Sequence, residues 1–151
     1  MPSEEGGAPL RLRAEDAEDL AIISACLQDA LVMVADFAFV PDERCFMFAA
    51  NRFRWESGVQ PAPGEQGFER VVSGITFGEV SGVSYRGFRR SDGERILSLL
   101  AIRPNPGTID LEFAAGATVR LEVDRILCRL KDLGEPWPTQ FLPDHDAEDR
   151  A

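Results

Sequence analysis

Residues 44–55 read RCFMFAANRFRW and run on into Glu56. On a strand, side chains alternate between faces, so Asn51, Phe53 and Trp55 share one side while Arg52, Arg54 and Glu56 share the other. Carried backwards without interruption, that alternation sets Phe46 and Phe48 beside the arginines and puts two large aromatics in water. A bulge at Ala49-Ala50 removes the conflict. One inserted residue returns Phe46, Phe48, Asn51, Phe53 and Trp55 to a common inward face, and bulges also bend the long strands of curled sheets. Asn51 then meets backbone groups left unpaired at the bulge, since a buried amide without partners costs about 1–3 kcal/mol. Arg52, Arg54 and Glu56 become a wet stripe. Such a stripe is either a plain solvated face or a grip for a partner, arginine and aromatic residues being enriched at interfaces.

The period of two reaches far beyond this stretch, from Leu31 onwards for about ninety residues. Segments 31–40 and 44–55 flank Pro41-Asp42-Glu43, which suits a short reversing turn, and 60–67 is a loop rich in Pro and Gly. Strands are predicted at 68–77, 83–88, 96–103, 108–113 and 118–123. In the last two, Ile109, Leu111 and Phe113 alternate with Asp110 and Glu112, and Val119, Leu121 and Val123 with Arg120 and Glu122, giving a hairpin with one solvated face. ILSLLAI at 96–102 is apolar on both faces, as a strand covered on both sides would be.

Upstream, Leu20, Ile23, Cys26, Leu27 and Ala30 keep helical spacing behind Asp16 as N-cap, which predicts an amphipathic helix over 16–30. Downstream, Ile126, Leu127, Leu130 and Leu133 lie at i, i+1, i+4 and i+7 between Asp124 and Gly134. They favour a second helix, with a strand on Ile126, Cys128 and Leu130 as the alternative. The predicted class is α+β: a curled, mainly antiparallel sheet of about seven strands, a roll or partly open barrel, with an N-terminal and a C-terminal helix.

The 151 residues, 44% of them hydrophobic, supply one domain, placed at 10–142. The Gly- and Pro-containing stretch 1–9 and the acidic stretch 143–151 are expected as disordered tails. Lys plus Arg number 16 against 26 Asp plus Glu, a net charge of −10, so the mean field repels polyanions and nucleic acid is an unfavoured partner. Cys26, Cys45 and Cys128 form no C-x-x-C pair, which fits buried thiols rather than a disulfide framework or a thiolate zinc site. The longest nearly apolar run, 30–40, is interrupted by Asp36 and too short for a bilayer, and no leader pattern opens the chain. A cytoplasmic protein without integral membrane contact is expected.

The strongest basic cluster is YRGFRR at 85–90, where Tyr85, Arg86, Arg89 and Arg90 suit an anion or an acidic partner surface. The plainer alternative is a solvated hairpin end balanced by Asp92 and Glu94. His145 is the single histidine and sits in an acidic run, so no Ser-His-Asp, Cys-His or two-histidine metal constellation can be assembled. Phosphate-cradling glycine loops of the familiar spacings are absent. No catalytic, cofactor-binding or metal-ligating residue is assigned, and no cofactor is implied.

The segments AEDLAIISACLQDALV (17–32), NRFRWE (51–56), LSLLAIR (97–103) and LEVDRILCRLKDLGEPW (121–137) together resemble an alphaproteobacterial family known as the domain of unknown function 2948. The likeness covers about residues 10–142, with NRFRWE and DLGEPW its most specific pieces. It implies an alphaproteobacterial cytosolic protein and carries over no activity and no site residue. The element order, seven strands and then a helix, also looks like a pleckstrin-homology-like roll, which is an analogy of fold alone.

The functional expectation is a protein-interaction or adaptor module without catalysis of its own, binding another protein or itself through a sheet face or edge. Arg52, Arg54, Glu56, Tyr85, Arg86, Arg89 and Arg90 are its candidate contacts. The alternative is a small-ligand binder or carboxylate-dependent enzyme with a pocket at the mouth of the rolled sheet.

Overall fold

The computed structural model describes residues 9–54, 68–134 and 137–139. The expected tails at 1–9 and 143–151 therefore fall almost wholly outside the described residues, as does Glu56. The one described α-helix, α1 (Ala17–Cys26), begins where the sequence places it. Asp16 is its N-cap and accepts from the Asp19 amide at 2.8 Å, while Glu18 and Asp19 favour the helix dipole in the first turn. It stops at Cys26, four residues short of the prediction, because the Asp29 amide donates instead to the Leu99 carbonyl and Ala30 pairs with Leu99 in the opposite sense. Leu20, Ile23 and Leu27 are buried and Ile22 faces out.

The strands are β1 (Arg11–Ala14), β2 (Leu31–Met33), β3 (Ala38–Val40), β4 (Cys45–Phe53), β5 (Phe68–Phe77), β6 (Val80–Arg86), β7 (Ile96–Asn105), β8 (Thr108–Phe113), β9 (Thr118–Val123), β10 (Cys128–Asp132) and β11 (Trp137–Thr139). They form an eleven-stranded sheet, with pairing order β1-β10-β5-β4-β2-β7-β8-β9-β6; β3 joins beside β4 and β11 beside β5. Every pair is antiparallel. The order runs from β1 to β6 without closing. The expectation of about seven strands is thus too small. Segment 31–40 is two strands around a 3-10 turn at Val34–Asp36, and β1 and β11 come from stretches too short to show a period.

The predicted C-terminal helix does not form. Cys128–Asp132 is a strand set between β5 and β1, with Leu130 opposite both Ile75 and Leu12. Here Cys128, Leu130 and Asp132 are buried while Arg129 and Lys131 are exposed, the period of two that was left as the alternative. Pairing along both edges supplies the backbone hydrogen bonds that a lone amphipathic helix would otherwise have provided for itself. A pleckstrin-homology-like order, which ends on a helix, is not met by these elements.

The predicted bulge at Ala49-Ala50 is also absent. β4 and β5 pair without a slip from Phe46↔Phe77 to Phe53↔Arg70. The bulges lie elsewhere, in β6 between Val80 and Gly82 and in β7 between Leu99 and Ala101. The latter explains ILSLLAI: Leu97 and Leu99 point inward, Leu100 is pushed out to 49% exposure, and Ile102 returns to the core. The Ser24 hydroxyl of α1 accepts from the Ile102 amide at 2.9 Å just past the bulge, fixing helix to strand.

The sheet folds over itself at two places. β7 pairs with β2 through Ile96–Ser98 and with β8 through Leu99–Asn105, and β5 turns into β6 at Gly78-Glu79, with Glu79 at φ 60°. Between the two halves Phe37 sits amid Phe46, Phe48, Phe88, Phe113 and Tyr85, ring centroids 5.7–6.4 Å away.

Candidate functional site

Because β4 runs straight, the arginines of NRFRWE share the inward face with Phe46 and Phe48. Arg52 has 0% exposure and Arg54 is buried, whereas Phe53 lies half-buried on the outer face. This reverses the predicted wet stripe and removes Arg52 and Arg54 from any surface that could grip a partner. The reason is charge pairing across the sheet. Arg52 Nε and Nη2 donate to Asp132 of β10 at 3.2 and 3.0 Å, and Nε also donates to Ser73 Oγ at 2.8 Å. Ser73 in turn donates to Asp132 Oδ1 at 2.6 Å, and the Leu10 amide reaches Asp132 Oδ2 at 2.9 Å. A buried ion pair satisfied on all sides is tolerated where a lone buried charge is not. Arg54 Nη1 donates to Oε1 of Glu69, a partly exposed carboxylate on the adjacent β5.

On the outer face of the same two strands, Arg70 has 0% exposure. Its guanidinium lies 3.7 Å above the Phe53 ring, and Nη1 donates to both the carbonyl and the side-chain oxygen of Asn51, each at 2.9 Å. Asn51 therefore serves an arginine and not a bulge. Burial pulls the Arg70 guanidinium down to about 10, against a through-space pull from Asp29 in the other direction. It is still a cation at neutral pH.

The YRGFRR cluster divides by role. Arg90 stacks over Tyr85 at 4.9 Å, donates to its hydroxyl at 2.9 Å and to the Phe37 carbonyl at 3.1 Å, and so braces the aromatic cluster from outside. Burial pushes the Tyr85 phenol above its ordinary value, with Arg90 opposing. Arg86 and Arg89 are exposed, and Arg86 adds to the field that lowers the Asp110 carboxyl, whose main partner is Arg120. The structure thus brings Tyr85 and Arg90 together, leaves Arg86 and Arg89 in solvent, and places Arg52 and Arg54 in the interior.

A feature without a sequence signal lies on the outer face of β4, β5 and β10. Met47, Ala49, Gly74, Thr76, Leu133 and Asp36 line a largely apolar groove of about 310 Å³. Gly74 makes it: a Cβ there would meet Leu133 Cδ1 at 3.2 Å, so the missing side chain lets Leu133, 59% exposed, lean over the strand. Partial burial raises the Asp36 carboxyl above its ordinary value. Met47 and Ala49 of β4, Gly74 and Thr76 of β5, Leu133 just past β10 and Asp36 of the 3-10 turn come from four separate stretches, so no contiguous motif could announce it.

Among the described residues no group of three or more His, Cys, Asp or Glu is placed to hold a metal ion, and no helix is long and apolar enough to cross a membrane. None of Cys26, Cys45 and Cys128 is in a disulfide, and burial pushes the Cys128 thiol up to about 12. Neither the curated proteins nor the solved structures contain a match to this chain. A family model does match, over residues 10–145, a span that contains both Arg52 of β4 and its partner Asp132 of β10. On that match the chain belongs to the family described as "Protein of unknown function (DUF2948)".

Proposed function

We propose that this protein is a cytoplasmic protein-interaction module without catalysis of its own, and that its receiving surface is the outer face of β4, β5 and β10. The single observation behind this reading is the groove beside Gly74, where Leu133 and Met47 present apolar surface to solvent on a sheet face. Asp36 at the same groove favours an occupant that brings an apolar side chain next to a cationic one. Arg86 at the end of β6 and Arg89 in the turn after it are exposed members of the basic patch, on the other half of the molecule.

The test is site-specific photo-crosslinking from position 133 in the native cytosol, repeated with Met47→Asp and with an Arg86→Ala/Arg89→Ala pair. A discrete adduct lost with Met47→Asp and kept with the arginine pair supports the groove. Its survival with Met47→Asp and loss with the arginine pair would move the interaction to the basic patch. Adducts between two copies of the chain would identify self-association.

A second reading is a small-ligand site, since the groove's volume lies at the lower end of the range such sites occupy, about 300–1,000 Å³. A carboxylate-dependent reaction needs two close acids, and Asp36 is the one carboxylate lining the groove among the described residues. Native mass spectrometry of the purified protein distinguishes a retained small molecule from a bare chain.

A further inference from the structure

Three guanidinium groups of this chain can be compared edge by edge. In Arg52 the edge formed by Nε and Nη2 takes the Asp132 carboxylate, at 3.2 and 3.0 Å. In Arg120 the same edge takes Asp110, Nε to Oδ1 at 2.7 Å and Nη2 to Oδ2 at 2.8 Å. In Arg70 that edge is buried, yet among the described residues no acceptor reaches either Nε or Nη2. The rest of the group is held firmly: Nη1 is fixed by two bonds to Asn51 and the plane rests on Phe53.

We propose that the Nε–Nη2 edge of Arg70 is a carboxylate-binding site. Buried cations are ordinarily matched by a counter-charge and buried donors by an acceptor. Arg52 follows that rule through Asp132, whereas on the opposite face of the same two strands Arg70 feels Asp29 through space and, among the described residues, has no carboxylate in hydrogen-bond reach of this edge. Two parallel donors at fixed spacing suit the two oxygens of a carboxylate, which is the species the chain itself places on the equivalent edge twice. Asn51 and Phe53 remove the guanidinium's freedom to rotate away, so the fork is oriented before anything binds. This site is separate from the groove at Gly74, four residues further along β5.

Two sources can supply that chemistry. One is a small free carboxylate. The other is the chain's own acidic run, Asp144 to Asp149. Thr139 of β11 lies opposite Phe68, two residues from Arg70 on β5, and Asp144 follows five residues later. Five extended residues span about 17 Å, enough to return over an offset of about 7 Å.

The experiment reads the Arg70 Nε–Hε resonance of ¹⁵N-labelled protein in the full chain and in a chain ending at Pro143. Sodium acetate is titrated, with sodium chloride at matched ionic strength as the control, each sample equilibrated overnight because the edge is buried. The Arg70 signal is assigned by Arg70→Lys or, should that variant not fold, by through-bond correlation from the Arg70 backbone amide. For a free carboxylate, acetate moves the signal downfield and saturably in the full chain, chloride does not, and the Arg52 signal stays put. For the acidic run, the signal starts downfield in the full chain, moves upfield on truncation and is restored by acetate. A signal indifferent to acetate in both chains and to truncation overturns the proposal.

Discussion

Arg52 shows how a single residue can redirect a whole strand. Sequence parity set it on the same face as Phe46 and Phe48, and the supposition that a charge cannot lie there led to an inserted bulge that the chain does not contain. What the alternation could not reveal was Asp132, eighty positions away, whose carboxylate makes the inward arginine tolerable. Unbroken alternation was the better guide, and the paired carboxylate was invisible because it belongs to a different strand. Two titratable groups give tests at this scale. The Arg120 hydrogen bond holds the Asp110 carboxyl below its ordinary value, so the folded state binds that proton less readily than the unfolded chain. Its contribution is present above the unfolded value of about 4 and is lost as pH falls through the folded one. Asp110→Asn should therefore lower the urea midpoint at pH 7, with the difference from the parent shrinking at pH 3. Cys128 behaves in the opposite sense, since burial raises its thiol to about 12. Its contribution is complete below the unfolded value of about 8.5 and declines as pH rises towards 12. Thiol labelling of Cys128 at pH 9 should accordingly proceed at the global unfolding rate, which urea titration of the labelling rate would reveal.

At the scale of elements, legibility followed locality. β5, β8 and β9 begin and end where alternation and turn residues place them, and α1 starts at its predicted cap. β10 was read as a helix because Ile126, Leu127, Leu130 and Leu133 satisfy a helical period. The decision was made by β5 and β1, which lie far away in sequence and offer it both edges. β7 was read as doubly covered because a bulge that exposes Leu100 looks, in sequence, like one more apolar residue. Two glycines separate a backbone need from a packing need. Gly87 has φ +84° and a Cβ there would lie 2.3 Å from the Gly116 carbonyl oxygen, whereas at Gly74 the close neighbour is the mobile end of Leu133. Gly87→Ala should destabilise by about 2 kcal/mol or more, as incompatible backbone does. Gly74→Ala should cost under about 1 kcal/mol while narrowing the groove. Chemical denaturation of both variants checks the contrast, and Asp16→Ala, expected to cost about 1 kcal/mol, calibrates it.

Over the whole molecule, the sheet is held as one body by contacts that join distant parts of the chain. Arg44 reaches Asp124 at the corner beside Glu79, and Arg52 reaches Asp132 at the other end of β4. The first of these is exposed and worth little, while the second is buried and carries the registry of β1, β10, β5 and β4 through Ser73 and the Leu10 amide. The candidate site was legible only in part: of the arginines singled out as contacts Arg52 and Arg54 are interior pins while Arg86 and Arg89 are exposed, and the groove and the Arg70 edge appear only once β4, β5 and β10 are side by side. The most direct measurement is a double-mutant cycle on Arg52→Met and Asp132→Leu, followed by urea unfolding. Each single change leaves a buried charge unmatched and should cost about 3–5 kcal/mol, while the double variant should recover most of that loss. Single changes that cost under about 0.5 kcal/mol and simply add, as surface residues do, would mean that Arg52 faces water and that β4 is turned the other way.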